Sequence, residues 1–555
     1  MQYILNIINT RLHIAITIAK VIKVTEAITE VEKFKSLSPA EFFYRNRELA
    51  GFTNPARALY QATRELIENA LDATDAHGIL PEIKVYIDRD PERSIFYKIS
   101  VQDNGIGIPP QYVPQAFGQV LFSSKYVLRQ TRGMFGLGAK MVVLYSQITT
   151  GKPVEVYTSP IGSSRIYAFR ILIDVKENKP IVLYRASWRK ESDWHGTVVR
   201  VVIEGDWGRA KAKVIDYVRR TAIIAPYAEI YFRDPDGNYY YYKRATTQMP
   251  RPPKETLPHP HGIDLETLKI MIKSSNTETL LDFLAKEFQG VGKVTAERFL
   301  KTLGLPLDKN PRTLSQEEVE NLARALKTYN GFRPPRADHL SPIGSDIIKV
   351  GLYSILQPEF VEAVTRKPAV YEGHPFIVEI GIGYGGKVPP SDQPILLRFA
   401  NKIPLLYDEK SGVSWKVISE NIDWSHYEVS FPAQLVILVH ICGTKIPYRG
   451  VGKESIADVP IIEKEIENGI RNVARKLKRF IIQKRKQEEM QRKAITLIKY
   501  IPEIARSLVV LGRNEDNENQ QIDEERIKEA LFNLVRSKVS GVHVRKVNEV
   551  VISIE

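Results

Sequence analysis

Two proline-rich interruptions constrain the folding of this chain more than any other feature. QMPRPPKETLPHPHG occupies residues 248–262 and NGFRPPRADHLSP occupies 330–342. Proline lacks a backbone donor and clashes inside helices, so neither a helix nor a sheet ladder runs through such stretches. The chain must therefore pack in separate pieces. Its 555 residues require this anyway, because single cores stop growing well below that length. Residues 28–250 alternate long helical patterns with strands and carry the glycine-rich loops. A helical segment follows over 264–330, with apolar residues at helical spacing in LLDFLAKEF and TAERFLKTLGL. Beyond the second break, HPFIVEIGIGY, PILLRFANK and QLVILVHIC read as strands. A long helix is expected over roughly 459–499, its outer face dense in Arg471, Arg475, Lys476, Lys478 and Arg479. The polar string RNEDNENQQ (513–521) reads as a tether before a small helix and strand.

The net charge of +14 favours a polyanionic partner, because clustered Lys and Arg release counterions from phosphates. One cysteine, Cys442, leaves no internal disulfide and no cysteine-rich zinc site, which fits a reducing, cytoplasmic setting. The opening MQYILNIINTRLHIAITIAKVIKV is the only membrane-like stretch. Arg11, His13, Lys20 and Lys23 interrupt it, so a soluble extension is expected and no membrane association.

The chemistry concentrates in three segments. In FTNPARALYQATRELIENALDATDAHG, Asn54 suits an N-cap, Pro55 the first helical position and Gly78 a left-handed cap. Glu65 and Asn69 stand four residues apart and share a helix face, while Ala62, Leu66, Ala70 and Ala73 supply the packing stripe. A carboxylate beside an amide suits a water-activating base next to a metal-binding oxygen. In SIFYKISVQDNGIGIPP, apolar residues alternate at Ile95, Tyr97, Ile99 and Val101, then break at Asp103, where Gly105 and Gly107 permit a tight turn. An aspartate at such a strand end can accept a hydrogen bond from an exocyclic amine such as that of adenine. In SSKYVLRQTRGMFGLGAKMVVLYSQ, glycines 133, 136 and 138 lead into an apolar helix, whose exposed N–H groups attract phosphate. Lys125, Arg132 and Lys140 add positive charge, and Ser123 and Ser124 add hydroxyls.

No G-x-x-x-x-G-K-[ST] loop exists: Gly292-Lys293 precedes Val294, and Gly452-Lys453 precedes Glu454. The scaffold must differ from the phosphate-loop one. In order and spacing the segments resemble the superfamily of gyrase, MutL, the ninety-kilodalton heat-shock chaperone and the histidine kinases. ELIENALDA, DNGIG and GMFGLGAK match its first three motifs, and Gly196-Thr197 in DWHGTVVRVVIE looks like the fourth. The resemblance implies Glu65 as general base, Asn69 as magnesium ligand and Asp103 on adenine, with Thr197 nearby. Ser124, Lys125 and the run Gly133, Met134, Phe135, Gly136, Leu137, Gly138, Ala139 and Lys140 would wrap the phosphates of ATP.

From FKSLSPAEFFYRNRELAGF onward the chain resembles the B subunits of archaeal type IIB topoisomerases, the topoisomerase VI family. That resemblance implies an α+β multidomain chain: an extension (1–27), a Bergerat-type ATPase sandwich with an N-terminal strap (28–250) and a helix-two-turns-helix domain (251–335). An α/β transducer with a long C-terminal helix (336–510) and a linker with a partner-docking segment (511–555) would follow. It implies ATP and Mg2+, double-stranded DNA, an ATP-dependent homodimer and a cleaving A subunit in an A2B2 heterotetramer. Lys453, between a glycine turn and a helix start, becomes the lysine that senses the γ-phosphate, with Lys445 as the alternative. Glu204-Gly205-Asp206 and Asp234-Pro235-Asp236-Gly237 imitate an acidic metal site, but the second reads as a hairpin turn between IYF and YYYY. Other expectations fit less well. A histidine kinase needs an acceptor histidine upstream, where only His13 stands. A MutL-like or chaperone-like clamp does not account for the helical insert.

Overall fold

The computed structural model describes Thr17 and residues 36–123, 127–133, 136–450, 454–512, 523–538, 542–545 and 551–554. The expectations for Ser124, Lys125, Met134, Phe135, Lys453, the extension and the 513–521 tether lie outside these residues, apart from Thr17.

The first region is built on eight strands: β1 (Glu82–Arg89), β2 (Phe96–Gln102), β3 (Val154–Ser159), β4 (Arg165–Asp174), β5 (Lys179–Arg189), β6 (Gly196–Glu204), β7 (Glu229–Arg233) and β8 (Tyr239–Tyr242). They lie in the order β5-β4-β3-β6-β2-β1-β7-β8, antiparallel except where β7 joins β1. Tyr97, Ile99 and Val101 turn inward as the alternation predicts, whereas Ile95 falls before the strand and is exposed. Helices Pro55–Asp75, Gly138–Thr150 and Trp207–Ile224 pack on the sheet and share one core with it. Asn54 Oδ1 caps the first of these by accepting from Arg57 N–H at 2.9 Å. Burial of roughly 1.5–3 kcal/mol per large apolar side chain holds this layer together, Leu59, Ile67 and Leu71 being fully enclosed.

The middle region is four short helices, Leu265–Ser274, Leu280–Glu287, Lys293–Leu303 and Gln316–Thr328, around a core of its own that includes Phe283, Leu284, Phe299 and Leu322. Three start on side-chain caps from Asp264, Thr279 and Ser315. The third starts on Gly292, with no side chain at its N–H groups.

The last region carries a second sheet of β9 (Phe360–Thr365), β10 (Ala369–Tyr371), β11 (His374–Tyr384), β12 (Ile395–Ala400), β13 (Ile403–Pro404) and β14 (Leu435–Gly443). All nine residues of β14 are buried, as in a strand covered on both faces, and His440 is the one ionisable side chain among its aliphatic residues and Cys442. The helix Ser345–Leu356 packs against both β11 and the Trp207–Ile224 helix, so the two sheet regions share a core. The long helix differs from expectation. It spans Pro460–Gly512, 53 residues, and passes through Pro502. Proline there removes one helical donor, but Ala494, Ile498 and Ile501 pack with Val535 of the Glu524–Lys538 helix and keep the turns in line. No described helix is long and apolar enough to cross a membrane.

Candidate active site: one cavity from four segments

Glu65, Asn69, Asp103, Gly133, Gly136, Leu137, Gly138, Ala139, Lys140 and Thr197 all line a single cavity of about 800 Å³. They come from the Pro55–Asp75 helix, the turn after β2, the start of the Gly138–Thr150 helix and the start of β6. The register of β2 against β6 explains the convergence at one end, since Gln102 pairs with Val198 and brings Asp103 beside Thr197.

Asp103 sits at that end, 6% exposed. Its Oδ1 accepts from the N–H of Gly105 at 2.8 Å and of Thr197 at 3.1 Å. Both bonds fall on one oxygen, which leaves Oδ2 to a ligand amine. Burial pushes its carboxyl up to about 7, the two N–H bonds pulling the other way. The surrounding turn is tied down at several points. Asn104 Oδ1 accepts from Glu82 N–H at 2.8 Å, Thr158 Oγ1 accepts from Ile108 N–H at 2.8 Å, and Trp194 Nε1 donates to Asp103 O at 3.2 Å. Gly107 has φ +71°, and a Cβ there would lie 2.4 Å from Ser159 O, so only glycine lets the turn close on β3.

At the other end Gln61 Nε2 donates to Glu65 Oε1 at 2.8 Å. A Cβ on Gly138 would lie 1.7 Å from Glu65 Oε2, so the missing side chain is what lets a helix N-terminus meet that carboxylate. The same helix has no side-chain cap on its first N–H groups, which suits a phosphate acceptor. Lys140 is buried and donates from Nζ to Phe122 O at 2.8 Å.

Arg132 corrects one expectation. Rather than adding charge at the phosphates, its guanidinium is held by Asp72 at 3.1 Å and Asp75 at 2.7 Å, both on the Pro55–Asp75 helix. Burial opposes its charge, but the two carboxylates more than offset that and hold its pKa above the usual range. It anchors the base of the lid. Lys445 lies near His374 and Asp264 and is absent from the cavity lining. The acidic decoy is a turn: Asp234 Oδ1 accepts from the N–H groups of Asp236 and Asn238, each at 2.9 Å, between β7 and β8.

Sequence reasoning missed Gln61, whose only signal is its place one turn before Glu65. It also missed Asn401 and Lys402, which line the cavity from the turn between β12 and β13. Nothing local in RFANKIPLL marks them.

The cavity, its helix-borne carboxylate and amide, and its glycine-bounded lid on a mainly antiparallel sheet define an ATPase of the gyrase, Hsp90 and histidine-kinase class. The sequence family described as histidine kinase-, DNA gyrase B- and HSP90-like ATPase matches residues 54–177. A second family, the topoisomerase VI B subunit transducer, matches residues 335–493. The chain is 55% identical to the B subunit of the type 2 DNA topoisomerase 6 of Sulfurisphaera tokodaii, over 93% of this chain and 98% of that protein. Against the corresponding protein of Saccharolobus solfataricus it is 52% identical, over 94% and 98%. The chain belongs to the family of type 2 DNA topoisomerase 6 B subunits.

Proposed function

We propose that this chain is the ATP-operated half of a type IIB topoisomerase, closing as a dimer around one DNA duplex and driving it through a break made by a separate A subunit. An A2B2 assembly acting on cytoplasmic double-stranded DNA is the arrangement this reading implies. The observation that carries it is the convergence of Glu65, Asn69, Asp103, Thr197, Gly133 and the stretch from Gly136 to Lys140 on one cavity.

In this reading Asp103 Oδ2 accepts the adenine amine, and the Gly138–Thr150 helix start faces the phosphates. Glu65, oriented by Gln61, polarises the attacking water. The donor chemistry fits Mg2+ held mostly by phosphates and water, with Asn69 supplying one amide oxygen. No group of three His, Cys, Asp or Glu among the described residues offers an all-protein cage. Bound there, Mg2+ would neutralise charge on the phosphate oxygens. Lys453 is assigned to the γ-phosphate. Its sequence neighbour Glu454 supports that role, because it pairs with Arg57 at the start of the Pro55–Asp75 helix at 2.8 Å. Gly290 and Gly292 at the start of a helix are suited to contacting a DNA phosphate without reading bases.

Glu65→Ala should retain ATP binding while hydrolysis falls by about 10²–10⁴-fold, as expected for loss of a general base. Supercoil relaxation with the A subunit should then stop after the first passage. Hydrolysis at the wild-type rate would remove Glu65 from the chemistry. A chain that binds ATP yet adds nothing to relaxation by the A subunit would favour the clamp reading.

A further inference from the structure

The β12–β13 turn reaches the cavity from the transducer on two consecutive residues with left-handed backbone, Asn401 at φ +47° and Lys402 at φ +67°. Non-glycine residues hold that conformation only where their surroundings require it. Asn401 meets that condition. It exchanges two hydrogen bonds with Gly443, its Nδ2 donating to O and its Oδ1 accepting from N–H, both at 3.0 Å, and the same Nδ2 reaches Thr131 O at 3.3 Å. Thr131 directly precedes Arg132, the lid anchor.

Lys402 is 5% exposed. Its Nζ lies 3.6 Å from Asp75 Oδ2, the oxygen that also takes Arg132 at 2.7 Å and the Tyr227 hydroxyl at 2.9 Å. It donates as well to Ser341 Oγ at 3.1 Å, and Ser341 N–H donates to Gln130 Oε1 at 2.8 Å. Burial pushes its ammonium pKa down, with Asp75 opposing. The backbone of Lys402 leads in the other direction. Its N–H donates to His440 Nε2 at 3.0 Å, which leaves the ring proton on Nδ1 to donate to Glu379 Oε2 at 2.9 Å. Glu379 is fully buried, and its two oxygens accept the N–H groups of Ile343 and Gly344 at 2.7 Å each. These open the Ser345–Leu356 helix, the element packed between the ATPase helix Trp207–Ile224 and β11.

We infer that Lys402 is a positioning residue for ATP turnover, coupling the lid anchor Arg132 and the ATP-site helix to the transducer through His440 and Glu379. Removing one member of a buried charge cluster leaves another uncompensated, so Arg132, Asp75 and Lys402 cannot shift independently. A lid movement that displaces Arg132 therefore changes what Lys402 must balance. The turn carrying Lys402 is bonded directly to the residues that hold the start of the Ser345–Leu356 helix. The inference rests on the ATP-site reading and adds the route by which that site is felt beyond the lid.

The test compares Lys402→Met and Lys402→Arg in the full chain. Lys402→Met should bind a non-hydrolysable ATP analogue within about threefold of wild type while kcat falls about tenfold or more, in the usual range of coupling between sites, with KM little changed. Lys402→Arg should recover most of kcat. A purely structural lysine would instead lower the melting temperature and analogue affinity together and leave kcat per bound nucleotide intact, which overturns the inference. Should Lys402→Met fail to fold, amide hydrogen exchange on the wild-type chain decides. Adding the analogue must change protection at 343–345 and 401–402 together with 128–132, and unchanged 343–345 and 401–402 would overturn the route. A wild-type chain that binds no analogue removes the ATP-site reading, and the relay falls with it.

Discussion

The two ends of the nucleotide cavity are built by different means. At the end proposed to receive adenine, three polar side chains are held by short bonds to backbone N–H groups: Asp103 by Gly105 and Thr197, Asn104 by Glu82, Thr158 by Ile108. At the phosphate end the contacts depend on a helix start that meets Glu65 only because Gly138 has no side chain, and on charged residues from three regions. On the proposed reading the first end is preorganised to discriminate among bases without moving, and the second is assembled, which makes catalysis conditional on where the lid and transducer stand. That reading makes recognition and turnover separable, and mutations at the two ends should separate them.

After Glu65 itself, the largest loss of rate should come from Gly138→Ala. A methyl 1.7 Å from Glu65 Oε2 forces carboxylate and helix apart, and displacement of about 1 Å at a reacting group can cost about a hundredfold in rate. Single-turnover hydrolysis should show that loss while ATP binding changes less. Equal losses in both would erase the division between the ends. The largest loss of stability should come from Arg132→Met. It leaves Asp72 and Asp75 without their buried guanidinium, which destabilises by about 3–5 kcal/mol for a buried pair broken on one side. Denaturant unfolding should register it, and a change below about 1 kcal/mol would mean that Arg132 is not the anchor.

Asp103→Asn should have a smaller and more specific effect. The amide oxygen can keep the Gly105 and Thr197 bonds, but an amide NH2 then faces the adenine amine, donor against donor. ATP affinity should fall by about 1–3 kcal/mol, and a hypoxanthine nucleotide, which presents a carbonyl there, should lose less. Competition binding with the two nucleotides measures this, and an unchanged preference would remove Asp103 from base recognition. The remaining effect is on the free chain. Burial raises the Asp103 carboxyl from 3.8 to about 7, so the folded state binds its proton more tightly than the unfolded state. Its contribution is fully present below about pH 4 and is lost as pH rises through about 7. Melting curves of Asp103→Asn should lack that component of the pH dependence, and superimposable wild-type and variant profiles would contradict it.

The same division explains what is legible in the sequence. Asp103, Glu65 and the lid glycines announce themselves through local patterns: an alternation that breaks, a capped helix, glycines ahead of an apolar run. Those patterns are short-range and survive being read one segment at a time. Asn401 and Lys402 carry no such mark. Their role arises from β12 lying parallel to β14 and the sheet packing back on the ATPase region, contacts between positions hundreds of residues apart. Arg132 is visible as a charge, but its carboxylate partners are not, because charge alone does not say which way a side chain points. The end of the long helix escapes local reading because proline usually stops a helix, and the packing of Ile498 and Ile501 that carries it past Pro502 is tertiary.

That helix has a mechanical consequence. A first run of buried residues extends from Ile462 to Ile481, where it lies on the transducer sheet; the stretch from Ile482 to Met490 is largely solvent-facing, and burial resumes at Ala494 against the Glu524–Lys538 helix. From Ile481 to Gly512 the rod is about 46 Å long at the helical rise of about 1.5 Å per residue. A tilt of about 5° where it leaves the sheet would swing its far tip by about 4 Å, enough to reseat a side-chain interface. A tilt of a few degrees at the sheet is thereby magnified into a displacement the size of a whole residue at the far tip.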